Sequence, residues 1–247
     1  PNCWKLKLPI PPAYKKLETS SPTRIDSYLR CPFTYYLTDK NIIGDKRMDD
    51  RARELASHEY GNVAHEALEA WGRSRHKDSA DPDVISRYLS EKVDAILSGR
   101  FGASIPAIVS LQGQSIKRRL ANFARIQASW RKDGWSIVET EYKLKVRYGD
   151  TRLEGKCDRI DYNESAGKWC VIDYKTWDKK DRASIYRTDR RTGERKFLSL
   201  QLPIYCAMLD ACNDDRFKDA KLENTFSCYG VLGENRQEVC FSEVSNS

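Results

Sequence analysis

"EGKCDRIDYNESAGKWCVIDYKT", residues 154–176, is the stretch on which the fold turns. Two runs rich in alternating or continuous apolar residues flank "NESAG", a turn-forming cluster, which predicts a hairpin with strands over about 151–162 and 168–175. The second strand begins apolar, with Trp169, Cys170, Val171 and Ile172, and ends in charge with Asp173, Tyr174 and Lys175. Side chains i and i+2 share a strand face, so Asp173 and Lys175 point one way and Tyr174 the other. A hairpin between these strands brings Asp158 beside Asp173. Two adjacent carboxylates repel, and burial raises that cost, so a cation has to compensate. Lys175 supplies one charge; a divalent cation would supply two and suits hard oxygen ligands. A structural ion pair, with Lys175 bridging two aspartates, is the alternative these residues leave open. Glu139 and Glu141, on the preceding strand, offer a third carboxylate, and only one of them is expected to face inward with the others.

Outward from the hairpin, "SIVETEYKLKVRY" predicts a strand over about 136–148, closed by the turn signal "YGD". "FLSLQLPIYCAMLDAC" returns to helical spacing, and "TFSCYGVLGENRQEVCFSEV" reads as two strands joined at Gly233–Glu234–Asn235. The N-terminal half is helical. Ser21 is an N-cap with Pro22 in the first turn, and Pro32 closes that segment. Residues 48–75 form a helix broken near Gly61, with Val63, Ala64, Ala67, Leu68 and Trp71 on one face. Residues 82–98 form another, ended by Gly99. A third runs from Gln114 to Lys132, with Ile116, Leu120, Phe123, Ile126 or Gln127, and Trp130 at helical period. The expected organisation is a Pro-rich arm over 1–19, then one domain over 20–247. Its part 20–134 is mainly helical, and 135–247 is a β-rich core.

Among 247 residues, Lys and Arg exceed Asp and Glu by seven, which weakly favours polyanionic partners. The cations concentrate at 117–119, 131–132 and 179–196, where solvated faces and a surface loop are the ordinary explanation. No window approaches the ~18 consecutive apolar residues of a membrane span, and no membrane association is expected. The eight cysteines contain no C-x2-C pair, so neither a zinc site nor a disulfide framework is expected. Beginning at Pro1 without Met, the chain reads as a segment of a longer polypeptide.

"GKCDRID" (155–161) followed by "VIDYKT" (171–176) resembles the core of the PD-(D/E)XK nuclease superfamily. "SSPTRIDSYLRCPFTYYL" (20–37), "GNVAHEALEAW" (61–71) and "LQLPIYCAML" (200–209) are similar, in the same order, to the opening element, the G-x-x-x-H motif and the Q-x-x-x-Y helix of RecB/AddB-like nuclease domains. The resemblance implies a restriction-endonuclease-like α/β fold, a mixed central sheet flanked by helices with an N-terminal helical cap. It implies that Asp158 and Asp173 bind a catalytic Mg²⁺, for which Mn²⁺ substitutes, with His65 as a further ligand. Lys175 would orient or activate water and stabilise charge, while Gln201 and Tyr205 would brace the site or touch DNA. The implied activity is DNA hydrolysis by an exonuclease acting on single strands or free ends. Repair or recombination with a helicase partner, in the cytoplasm with the nucleoid, would be its setting. A silent DNA-binding module is the rival from another class, though such domains tend to lose acids or lysine that are present here. Some relatives carry an iron–sulfur cluster; Cys31 matches its first ligand, but Cys206, Cys212, Cys228 and Cys240 lack the tight spacing of the rest, so no cluster is expected.

Overall fold

The computed structural model describes residues 18–39, 54–176, 186–188, 191–197, 199–235 and 239–243. In chain order it comprises β1 (Thr19–Ser20), α1 (Pro22–Arg30), α2 (Pro32–Asp39), α3 (Ser57–Gly72), α4 (Pro82–Phe101) and α5 (Ala107–Lys132). There follow β2 (Trp135–Tyr148), β3 (Thr151–Asn163), β4 (Lys168–Lys175), β5 (Tyr186–Thr188), β6 (Arg195–Phe197), α6 (Gln201–Asp210), β7 (Thr225–Val231) and β8 (Cys240–Glu243). Residues 1–17 of the arm and half of the 179–196 stretch lie outside the described residues, as do residues 48–53 of the helix expected over 48–75.

The main sheet is mixed, as expected. β2, β3 and β4 run antiparallel in sequence, β4 pairs parallel with β7, and β8 closes the other side antiparallel. β4 lies between two strands with both faces covered, which is why its sequence reads as a continuous apolar run rather than an alternation. On one face, α3, α4 and α5 bury Val63, Leu68, Trp71, Leu89, Ile116 and Phe123 against Ile137, Cys170, Ile172 and Tyr174. On the other, α6 buries Leu202, Cys206, Met208 and Leu209 against Leu144, Ile160, Val171 and Val231. Among the described residues no helix is long and apolar enough to cross a membrane.

Helix boundaries differ from the sequence expectation at Gly61 and Gly99. α3 runs unbroken through Gly61, and α4 runs through Gly99 to end at Gly102, whose φ of 69° and ψ of -150° are a backbone state open chiefly to glycine. An interior glycine costs about 1 kcal/mol, which the buried apolar face of each helix outweighs. Pro32 follows the end of α1 at Arg30, as expected, with Cys31 extended before it, but it also starts α2, because proline's missing N–H and fixed φ suit a first turn. Ser21 caps α1, its Oγ accepting from Arg24 N–H at 3.2 Å. α5 begins at Ala107, seven residues earlier than its periodic core suggests. Of the two candidates on its face, Gln127 is the fully buried one.

Candidate active site

The site forms where β3 and β4 part. They pair from Asn163↔Lys168 to Arg159↔Ile172 and then separate, while β4 continues along β7 and β3 continues along β2. Further along, β1 takes the vacated edge of β3 at Arg152 and Leu153. Asp158 and Asp173 occupy the rung just past the last pair, which is the juxtaposition the hairpin predicts. A parting sheet leaves backbone groups without partners, and side chains claim two of them. Asp158 Oδ2 accepts the Tyr174 N–H at 2.8 Å, and Tyr205 Oη donates to the Lys156 carbonyl at 2.7 Å.

α3 presents His65 to the fork. Its Nε2 lies 3.2 Å from the Tyr174 carbonyl, which can only accept, so Nε2 carries the proton. Burial pushes the imidazole below its usual range, so the ring is neutral and Nδ1 is a bare acceptor. That atom stands 3.4 Å from Asp158 Oδ2. Two acceptors face one another, and something positive has to lie between them. Without a metal that role falls to a proton: burial, followed by the neighbouring Asp173 carboxylate, pushes Asp158 up to about 8.

The third member of the group is Glu141. Ligand atoms of His65, Glu141 and Asp158 all lie within 4.8 Å of one another. Plain alternation would put Glu139 and Glu141 on one face, but β2 is irregular here. Its register against β3 shifts between Ile137 and Glu139, ahead of both, and Glu141 has φ 52°, which breaks the alternation between the two. Glu141 therefore turns to the fork and to the Lys156 ammonium, while Glu139 pairs with Arg216. Left-handed backbone at a glutamate costs of order 1–3 kcal/mol and is typical of sites where geometry takes precedence.

Asp173 belongs to the same rung but is engaged differently. Gln201 Nε2 donates to its Oδ1 at 3.4 Å, and Lys175 forms an ion pair with Oδ2. Burial works against the Lys175 charge, yet Asp173 and Asp158 outweigh it and raise its pKa above the ordinary value. Lys175 is thus an ammonium, and about a quarter of its side chain remains exposed. Gln201 and Tyr205 sit one turn apart on α6. Tyr205 presses against Gly155, where a Cβ would come within 2.8 Å of its ring and 2.9 Å of Pro22, so only glycine admits α6 and α1 this close.

Sequence reasoning did not single out two supports. Arg159, wholly buried, donates to Asp161 at 2.6 and 2.5 Å, to Gln127 at 2.7 Å and to the Tyr174 hydroxyl at 3.1 Å. Tyr174 thereby fixes the backbone that Asp158 and His65 both contact. The signal was present in the i, i+2 spacing of Arg159 and Asp161, which puts opposite charges on one strand face. Asp26 of α1 accepts the Leu200 N–H at 2.6 Å and so secures the start of α6; no local pattern marks that contact.

The donor set fits a divalent cation. One imidazole nitrogen and two carboxylates converge, the Lys156 ammonium offsets only the Glu141 charge from outside the group, and Asp173 Oδ2 makes no hydrogen bond beside its ion pair. A forked mixed sheet carrying paired acids, a lysine two residues on and a helix-borne histidine defines the class. The chain belongs to the PD-(D/E)XK nuclease superfamily, whose family model matches residues 19–229. It is also similar to an ATP-dependent helicase/deoxyribonuclease subunit of Clostridium acetobutylicum, at 24% identity over 182 residues. That match covers 64% of this chain and 15% of the relative, so the chain spans a minor part of the relative's length.

Proposed function

We propose that this chain is a metal-dependent DNA nuclease, with Asp158, Asp173, Lys175 and His65 at its centre and Glu141 completing the ligand set. The observation carrying this reading is the rung itself: Asp158 and Asp173 stand where the strands part, flanked by Lys175 and by His65 Nδ1 at 3.4 Å. His65, Glu141 and Asp158 would hold Mg²⁺ or Mn²⁺, with Asp173 beside them. A divalent cation bound there lowers the pKa of a water and neutralises phosphate oxygens.

The chain's own groups supply the rest. In hydrolysis the water oxygen bonds to phosphorus, the phosphorus–oxygen bond of the leaving group breaks, and the released oxygen takes a proton. Lys175 acts as a fixed positive charge toward the phosphoryl oxygens as their charge grows, not as a base, because its neighbours keep it protonated. Gln201 holds Asp173 in position through its hydrogen bond. The similarity to a helicase/deoxyribonuclease subunit supports DNA as the substrate and a helicase as partner. The finer proposal, exonucleolytic action on single strands or free ends in repair or recombination, rests on the motif resemblance.

The test is cleavage of end-labelled single-stranded and duplex DNA in Mg²⁺ or Mn²⁺. Products should form with metal and cease with chelator, and Lys175→Ala should lower the rate by about 10²–10³-fold, the scale of losing one electrostatic donor. Equal inertness of wild type and Lys175→Ala across both metals would defeat the catalytic reading.

A further inference from the structure

One face of the β2–β3 hairpin carries a ladder of cations that leads away from the site. Across it, Lys143 stands opposite Lys156, Lys145 opposite Glu154, and Arg147 opposite Arg152. Lys143, Lys145, Arg147, Arg152 and Lys156 are all exposed, while the alternate residues Leu144, Val146, Leu153 and Cys157 are buried under α6. Like charges placed directly opposite one another destabilise a hairpin. Two of these three rungs have that arrangement, and Glu154, 3.6 Å from Arg152, is the single acid on the six positions.

Within the ladder Lys156 and Arg152 have acid partners, while Lys143, Lys145 and Arg147 make no ion pair among the described residues; the 117–119 cluster is instead paired throughout. On α5, Lys117 pairs with Asp94, while Arg118 and Arg119 pair with Glu234. The ladder is also recessed. A cleft of about 490 Å³ is lined by Lys145, Val146, Arg147, Arg152, Ala211 and Asn213 with Glu154 as its one acid, and a second of about 360 Å³ sets Arg147 and Arg152 beside Glu18, Thr19 and Asp150. Its near end touches the site, since Lys156 is ion-paired to Glu141. Same-face residues step about 6.6 Å along a strand, comparable with one nucleotide of a stretched chain.

We infer that the Lys143–Lys156, Lys145 and Arg147–Arg152 rungs form a track for the phosphates of one nucleic-acid strand, running from the hairpin tip to the fork. The inference rests on the nuclease reading for the direction of the strand, but its test does not need catalysis. Binding of a fluorescent dT20 is followed by anisotropy in EDTA against salt concentration. Removing three cations by Lys145→Ser/Arg147→Ser/Arg152→Ser should lower the slope of log K on log[salt] by about 2, at about 0.7 per contact on a single strand. Arg147→Ser alone should lower it by about 0.7. Removing three exposed cations from the helical side, Arg87→Ser/Arg125→Ser/Lys132→Ser, should leave it unchanged. Equal slopes in wild type, track variants and control, or no binding by wild type, would overturn the track. A slope change without Mn²⁺-dependent cleavage would instead defeat the nuclease reading and leave the track standing.

Discussion

Asp158 shows how one carboxyl can cost stability in order to be useful. Its ordinary pKa of 3.8 is pushed up to about 8 in the folded chain, so between roughly pH 4 and pH 8 the unfolded chain has lost this proton and the folded chain has kept it. Rising pH across that window favours unfolding, and the penalty is complete above pH 8. Metal-free Asp158→Asn should therefore show a flatter decline of Tm between pH 4 and 8 than wild type, measured by thermal denaturation in EDTA. Adding Mg²⁺ or Mn²⁺ should raise the wild-type Tm and leave that of Asp158→Asn nearly fixed, since a cation bound only by the folded state stabilises it by mass action. A metal-induced shift of equal size in both would place the cation elsewhere. Glu141 carries a backbone cost instead. At φ 52° glycine is unstrained and alanine is not, so Glu141→Gly should be about 1 kcal/mol more stable than Glu141→Ala by denaturant titration. Both should lose metal-dependent activity, and the reverse stability order would contradict the left-handed geometry.

Among the elements, β3 is the organiser, because it pairs with different partners along its length: β4 over one half, β1 over the other, and β2 throughout. The interval between β4 and β1 is where α6 reaches in through Tyr205 and Gln201. Its tightness is set at Gly155. Gly155→Ala would drive a methyl into the Tyr205 ring and Pro22, two groups held by α6 and α1, at a cost of about 1–3 kcal/mol. Tyr205→Phe removes the hydroxyl that satisfies the Lys156 carbonyl and should cost about 1 kcal/mol. Both are read by chemical denaturation. If Gly155→Ala were neutral, α6 would not be seated as tightly against β3 as described.

On the scale of the whole molecule, two apolar cores lie on opposite faces of one sheet, and the site opens between them at the fork. Arg159 and Asp161 form a fully buried ion pair on the α3–α5 side, ringed by Trp71, Phe241, Gln127 and Trp130. Such a pair stabilises little relative to apolar residues, yet breaking one side strands a charge. Arg159→Met should therefore cost about 3–5 kcal/mol, with Arg159→Met/Asp161→Leu recovering most of it. If the double variant proved as unstable as the single one, the hydrogen bonds to Gln127 and Tyr174, rather than the lone charge, would dominate.

What the sequence determined by itself is whatever local periodicity and turn chemistry specify. The hairpin over 151–175, the Asp158–Asp173 rung and the apolar face of α3 all follow from alternation, helical period and "NESAG", since each depends on residues near one another in the chain. The tertiary structure alone decided the rest. It selected Glu141 over Glu139 through left-handed backbone at Glu141, and no residue of β2 announces that turn. It carried α3 and α4 through glycines because burial on the sheet outweighs a local propensity cost. It absorbed the basic run at 117–119 into ion pairs with Asp94 and Glu234 and left the β2–β3 face as a cationic surface. The physical reason is the same in each case: these outcomes depend on partners distant in sequence, and pairing free energies of that kind leave no periodic trace in the chain.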